Sequence, residues 1–589
     1  MERNTDMTLD YLHLVGEAKG IDERACGKSI RLAVLADAAI QHLLPLLRVL
    51  FARRGVKAEI YEGGYDSVDV EILDAASALY EFKPDIIVIL GASEKLKARL
   101  YSDADRGAFV DTAVSRLTGL WQAVQARCPA TIIQGTYVLP SERAFGNYEL
   151  KVPDSVGSLF AAVNARLVDA ARQARHVLLC DLDHLAGEVG RRHWTDETLW
   201  HLSKGLCRLD HLPLVAQALV DIALSAQGQF TKCVVLDLDN TLWGGVIGDD
   251  GLSGIALGDL DEGEAFVAFQ RFLKELKRRG IILAVVSKNE ETAARAPFRD
   301  HPDMVLREDD IAVFIANWDN KAQNIKHVQQ TLNIGLDSMV FIDDNPFERG
   351  LVRDLLPDIA IPEMPDDPAL FLRAIGNCGL FETASYSSND AQRARQYREE
   401  GLREQMRASA TSIDDYLQSL DMIIRIERFK PFNLPRIAQL IQRSNQFNLT
   451  TRRHGEAACA AMIDDPATIP LTVTLSDRFG DYGLISVVIL TRQRDCLEIE
   501  TYLMSCRVLM RGVEQFVMNR IFDYAAREGV ERVVGRYVAT AKNAMVRNFY
   551  ADFGFQMLSD DGNGTSIWAL APSRYIARPA FMTSQTMEL

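Results

Sequence analysis

Asp237 and Asp239 stand one residue apart at the end of an apolar run, in CVVLDLDNTLWGGVIG (233–248). Side-chain direction in an extended segment repeats every second residue, so the two carboxylates point the same way into a turn through Asn240, Thr241 and Gly244-Gly245. Like charges that close call for a cation. Further along, IILAVVSKN (281–289) ends in Ser287, Lys321 opens a helical stretch (320–332), and SMVFIDDNPFER (338–349) presents Asp343 and Asp344. These residue types suit metal-assisted phosphoryl transfer. Asp237 can attack phosphorus, and Asp239 can protonate the leaving oxygen and then activate water. Mg²⁺ is expected on Asp237, the backbone carbonyl of Asp239 and Asp343, with Asp344 in support. Thr241, Ser287 and Lys321 are expected to hold the phosphate oxygens.

The elements that must position these groups are legible around them. Three apolar runs ending in Asp-x-Asp, Ser and Asp-Asp predict strands whose ends line one crevice of a doubly wound sheet. EGEAFVAFQRFLKELKRRG (262–280) predicts a helix, with Phe266, Phe269, Leu273 and Leu276 on one face and Gly280 as its stop. Upstream, runs at 31–37, 57–63, 85–91, 130–138 and 176–183 alternate with amphipathic stretches, which predicts a parallel sheet with crossover helices. RRHWTDETLWHLSKG, carrying His193 and His201, reads as one helix, and another joins the first domain to the second between residues 203 and 229. A connector helix is expected over 380–412. Beyond it lie a helix at 432–453, a strand pair at 471–490, and a strand running into a helix at 496–522; the tail FMTSQTMEL reads as disordered.

The length of 589 residues exceeds one ordinary core and suggests three domains, 1–205, 228–385 and 415–575. Charged residues at 25% and apolar ones at 48% describe a packed soluble protein. Neither a signal-peptide core nor a run of about eighteen apolar residues is seen, so the expectation is cytoplasmic, without a membrane partner. The nine cysteines form no C-x-x-C pair, which suits reduced thiols engaged in packing. A net charge of −16 excludes sequence-independent nucleic-acid binding, which needs a basic face. An anionic substrate must then be held by a local metal or basic cluster.

With Asp237, Asp239 and Thr241 as a first motif, Ser287 as a second, Lys321 as a third and Asp343-Asp344 as a fourth, the middle of the chain resembles the haloacid dehalogenase (HAD) superfamily. DLDNTLWGGVIGDDG, SKNEE, NWDNKAQNI and FIDDNPFERGLVR resemble its FkbH-like branch, phosphatase subfamily IIIC. The resemblance implies a Rossmann-like core without a large cap, dephosphorylation of a small phosphorylated acyl donor such as 1,3-bisphosphoglycerate, and transfer of the glyceryl group to the phosphopantetheine thiol of an acyl carrier protein. Val286 departs from members that carry a Cys before the motif Ser, which leaves open direct attack by the carrier thiol, another Cys, or phosphatase chemistry alone.

The flanking regions carry looser resemblances. The first domain is similar to SGNH-type esterases in a flavodoxin-like arrangement, with Ala36-Asp37-Ala38 where that family has its nucleophilic Ser, so it reads as a degenerate hydrolase serving as a platform. Gly91-Ala92-Ser93 and Gly146-Asn147 sit where such folds put oxyanion donors, and ordinary turns explain them too. The last domain resembles the GNAT acyltransferases, an α+β fold. That resemblance implies a pyrophosphate at the turn before a helix, with Arg507, Arg511 and Gly512 beside it, and Asn543 and Tyr550 near the thiol. A docking remnant, a carrier-arm pocket and an acetyl-CoA-dependent N-acetyltransferase are all open for it. For the whole chain, a stand-alone phosphatase and a pathway scaffold are the alternatives to a carrier-loading enzyme.

Overall fold

The computed structural model describes residues 9–587 apart from 24–25, 104, 385, 387–411, 445–446, 453, 506–507, 541–542 and 563. It divides into two compact units, Met1–Ala394 and Arg395–Leu589. In the first, the five apolar runs become β1 (Lys28–Ala36), β2 (Val56–Glu62), β3 (Ile86–Leu90), β4 (Thr131–Gly135) and β5 (Val177–Cys180). All pair in parallel, in the order β2-β1-β3-β4-β5 of a doubly wound sheet. The inner strand β3, IIVIL, is wholly apolar and buried because helices cover both faces, whereas the edge strand β2 carries Lys57, Glu59 and Glu62. One cover is the helix Leu212–Ala226, which has Pro213 in its first turn and shares a core with Leu32, Val34 and Ile133. Leu209–Ala226 is long and apolar enough to cross a membrane, and 61% of it is buried inside the protein. The single helix expected around His193 and His201 is two, Arg191–Trp194 and Glu197–Ser203. Asp196 accepts from the Leu199 N–H at 2.8 Å and so starts the second as an N-cap.

The second sheet has four parallel strands in the order β8-β7-β6-β9: β6 (Cys233–Leu236), β7 (Ile282–Ser287), β8 (Ile311–Ala316) and β9 (Met339–Ile342). Leu236 is level with Val285 on one side and Ile342 on the other, so β6 and β9 end level and β7 runs two residues further, to Ser287. The helix Glu262–Arg278 buries Phe266, Phe269, Leu273 and Leu276 as expected, and the rings of Phe266 and Phe269 both meet Phe371 edge-on at 5.9 Å. Gly280, at φ +97°, turns the chain directly into β7. The sequence reading missed β8, IAVFIA, an edge strand as apolar as its neighbours but ending in no motif residue.

A cavity of 560 Å³ in this unit is lined by Leu50, Arg54, Asp221, Arg279, Cys378 and Glu382 among others, and by none of the motif residues. Burial pushes the Asp221 carboxyl up to about 6, against the pull of Arg54, 3.1 Å away. A carboxyl whose folded pKa lies above its unfolded value of 3.8 stabilises the fold only while protonated. Its contribution therefore falls as pH rises through that window. Against Asp221→Asn, the wild type is expected to lose on the order of 2 kcal/mol of relative stability between about pH 4 and pH 7. Parallel unfolding curves for the two proteins across that range would contradict this.

The second unit is built on one nine-stranded sheet. Its strands are β10 (Met422–Arg428), β11 (Phe447–Asn448), β12 (Thr468–Asp477), β13 (Gly480–Arg492), β14 (Cys496–Met504), β15 (Arg532–Val538), β16 (Gln556–Asp560), β17 (Thr565–Leu570) and β18 (Met582–Met587). β10, β12, β13 and β14 are antiparallel neighbours, whereas β14 and β15 run parallel, joined through the helix Val513–Arg527. The tail expected to be disordered is β18, whose backbone pairs in parallel with β10, Met422 opposite Met582. Its polar composition concealed that pairing, because an edge strand is held by main-chain bonds. Most of the connector expected over 380–412 lies outside the described residues.

Candidate active site

Asp237 follows the last residue of β6, Asp343 the last of β9, and Ser287 ends β7. The parallel register, with Leu236 level with Val285 and Ile342, brings all three to one edge. Lys321 reaches the same point as the first residue of the helix Lys321–Leu332, whose start is fixed by Asn320 accepting from the Ala322 N–H at 2.8 Å. Its ammonium lies 3.0 Å from Asp237 Oδ2 and 2.6 Å from Asp343 Oδ2. Asp237, Asp343 and Asp344 each offer a carboxylate oxygen within 4.8 Å of the others. Three carboxylates thus face one ammonium, and the surplus is negative.

The electrostatics follow from that surplus. Burial, and then the charge of Asp237, push the Asp343 and Asp344 carboxyls above their usual range. Burial works against the Lys321 ammonium, yet Asp237 and Asp343 together hold its pKa above the ordinary lysine value. Asp237 Oδ1 is buried and has no hydrogen-bond partner. An orphaned carboxylate oxygen beside two further carboxylates fits a hard divalent cation with oxygen ligands, and Asp237, Asp343 and Asp344 are the side chains that would hold it.

Asp239 stands apart from that cluster. Its Oδ1 accepts from the Trp243 indole N–H and the Ile247 N–H, both at 3.0 Å, and its Oδ2 from the Asn289 amide at 2.8 Å. The metal cluster therefore does not take the Asp239 side chain. Thr241, expected on phosphate, is fully buried; its hydroxyl donates to Asp344 Oδ1 at 3.0 Å and accepts from the Asp344 N–H at 3.2 Å. With its one hydrogen committed, it ties the β6 loop to the β9 loop and has none for a phosphate oxygen. Ser287 is 2% exposed and accepts from the Asn289 amide at 3.2 Å.

Several residues at this edge went unassigned in the sequence reading. Arg349 donates to the carbonyls of Asp343 and Asp344 and pairs with Glu363, clamping the loop that follows β9. Lys288 bridges to Glu348 at 2.6 Å, and Asn289 links Asp239 to Ser287. All lie within the quoted SKNEE and FIDDNPFER stretches, so proximity to a motif was the available signal.

The residues expected at a GNAT-like site are differently employed. Arg511 is 5% exposed, pairs with Asp477 Oδ2 at 3.3 Å and bonds the Tyr482 hydroxyl, so its charge is neutralised within the fold. Gly512, at φ +83°, is the left-handed cap of the helix Val513–Arg527. Asn543 is fully buried, its amide donating to the Asn448 and Val538 carbonyls at 2.9 Å. Tyr550 is 1% exposed, packed against Phe549 and Phe555, and lies so close over Gly535 that a Cβ there would meet its ring at 2.1 Å. Arg507 lies outside the described residues. In the first sheet Ala38 is buried, and the Ser93 hydroxyl donates to the Val138 carbonyl at 2.7 Å.

Comparison with known proteins bears on this arrangement. The family model described as the FkbH N-terminal domain matches residues 31–224. Comparison with curated proteins returns no match. Among solved structures, the chain is similar to the N-terminal part of the protein BF1531 from Bacteroides fragilis, which contains a phosphatase domain and is complexed with Mg. The identity is 37% over 64% of this chain and 100% of that one, with a TM-score of 0.61. It is also similar to the ribosomal-protein-S18-alanine N-acetyltransferase from Escherichia coli, at 15% identity over 25% of this chain and 93% of that one, with a TM-score of 0.20. By its sequence match to BF1531 across that chain's full length, and by the HAD-type carboxylate edge at β6, β7 and β9, this chain belongs to the FkbH-like family of HAD-type phosphatases.

Proposed function

We propose that the chain is a Mg²⁺-dependent enzyme of the cytoplasm that dephosphorylates a small phosphorylated acyl donor, 1,3-bisphosphoglycerate, and delivers the glyceryl group to the thiol of an acyl carrier protein. The observation that carries this reading is the edge where Asp237, Asp343, Asp344 and Lys321 meet. Asp237 attacks the phosphorus of the phosphate ester as Asp239 gives a proton to the departing alkoxide oxygen; the P–O bond to substrate breaks as the bond to Asp237 forms. Asp239, now a carboxylate, takes a proton from the water that attacks the aspartyl phosphate, releasing phosphate and restoring Asp237. Lys321 and Ser287 hold phosphate oxygens through both steps. A bound Mg²⁺, held by Asp237, Asp343 and Asp344, supplies charge neutralisation for nucleophile and phosphate.

The acyl phosphate at the other end of such a donor stays activated. Attack by the carrier thiol on its carbonyl carbon expels the second phosphate and leaves a thioester, with the thiol proton passing to solvent. Two features favour direct attack by the carrier. Val286 is fully buried in β7, and Cys233 sits at the far end of β6, where burial pushes its thiol well up. Between Asp239 and Ser287 the described residues hold the helices Ile247–Gly254 and Glu262–Arg278 and no cap domain, so a carrier-borne thiol has access. The first sheet serves as a degenerate SGNH-like platform, and the second unit as a docking module of GNAT-like fold.

The test is the intact mass of a carrier protein incubated with 1,3-bisphosphoglycerate, Mg²⁺ and the full chain. Gain of a glyceryl group is expected. Phosphate release with no carrier acylated, for any carrier encoded nearby, would leave a stand-alone phosphatase, the reading that the absence of a thiol at Val286 also favours.

A further inference from the structure

The two oxygens of Asp239 are held unequally. Oδ1 has two donors, the Trp243 indole and the Ile247 N–H, both on its own loop, whereas Oδ2 has the single amide of Asn289 from the end of β7. Asn289 is 4% exposed. A carboxylate only accepts, so the NH₂ end of Asn289 must face it, and the same NH₂ group reaches Ser287 Oγ at 3.2 Å. That bond occupies a lone pair of the serine hydroxyl and leaves its hydrogen available to another acceptor, such as a phosphate oxygen.

We infer that Asn289 is a positioning residue that aims Asp239 at the substrate's leaving oxygen and, through the same NH₂ group, orients the Ser287 hydroxyl toward the transferred phosphoryl group. The inference rests on the proton-moving role proposed above for Asp239. Without Asn289 the carboxylate keeps its two donors on Oδ1 but swings about them, and the oxygen nearest the substrate loses its fixed place. Chemistry that needs a proton delivered then suffers more than chemistry that does not. Trp243 acts on the other oxygen in the same sense, with its ring edge-on to Phe298 at 6.0 Å.

The experiment compares two substrates in the full-length protein with Mg²⁺. p-Nitrophenyl phosphate has a leaving group that departs without protonation; β-glycerophosphate does not. For Asn289→Ala, kcat on β-glycerophosphate is expected to fall about 100-fold with KM within about twofold, the scale of a misplaced general acid. In rapid mixing with p-nitrophenyl phosphate, the first equivalent of nitrophenol is expected to slow far less than the alkyl reaction, by the loosened Ser287 hydroxyl alone, followed by slowed turnover, because hydrolysis of the aspartyl phosphate still needs Asp239. Trp243→Phe, which removes a donor and keeps an aromatic ring, is expected to show the same split and serves if Asn289→Ala fails to fold. A burst slowed as much as the alkyl reaction, or no loss on either substrate, overturns the inference alone. A wild type that forms no phosphoenzyme overturns the reading beneath it and the inference together.

Discussion

Asp237→Asn is expected to release phosphate at least about 10⁴-fold more slowly than the wild type, because an amide in that place cannot attack phosphorus and no other group at the edge can replace it. Asp343 and Asp344 are the nearby carboxylates; burial and Asp237 both raise their affinity for protons, and their oxygens are partly committed, Asp343 to Lys321 and the Asn345 N–H and Asp344 to the Thr241 hydroxyl. The fold is expected to survive, since Asn is isosteric and Lys321 keeps Asp343. Phosphate release from the full-length variant, read beside its thermal midpoint, separates lost chemistry from lost structure. Residual turnover within about tenfold of wild type would mean that the nucleophile is elsewhere.

Lys321→Met affects both stability and rate. In the protein without metal, Lys321 is, among the described residues, the only ammonium against Asp237 and Asp343, at 3.0 and 2.6 Å, and its side chain is 4% exposed. Its own burial is costly, but leaving two buried carboxylates facing one another costs more, about 3 kcal/mol for a broken buried pair. Metal-free Lys321→Met is therefore expected to unfold at markedly lower temperature than wild type, and Mg²⁺ is expected to restore part of the difference by taking up the surplus charge. Activity is expected to fall about 10³-fold even at saturating Mg²⁺, since the cation that meets charge developing on phosphate is gone. Differential scanning calorimetry with and without Mg²⁺ checks the first claim. A Mg²⁺-induced stabilisation no larger than that of the wild type would contradict it.

Much of the edge was legible because its logic is local. An apolar run delivering Asp237 and Asp239, another delivering Ser287 and a third delivering Asp343 fix three strand ends, and parallel pairing aligns them at Leu236, Val285 and Ile342. The partners of those groups were less legible. Thr241 looked like a phosphate ligand because its spacing from Asp237 says nothing of Asp344, 103 residues away in sequence, which takes its hydroxyl. Asn289 carries no charge and follows the motif Ser, so nothing in its type marks it as the donor to Asp239. Arg511 shows the reverse error: a cation before a helix suggested an anion site, and only the tertiary structure brings Asp477 and Tyr482 to neutralise it. β18 was missed for a related reason, since an edge strand needs neither alternation nor apolar bulk when backbone bonds hold it.

The most direct test is to trap the covalent intermediate. Full-length protein with Mg²⁺, mixed with ³²P-labelled substrate and quenched in acid during turnover, is expected to carry label that is stable in acid, released by hydroxylamine as an acyl phosphate is, and confined to the peptide containing Asp237. The label is expected to be absent from Asp237→Asn and, with labelled p-nitrophenyl phosphate, to build up in Asn289→Ala. Label on any other residue, or steady phosphate release with no labelled protein at any quench time, would contradict the account.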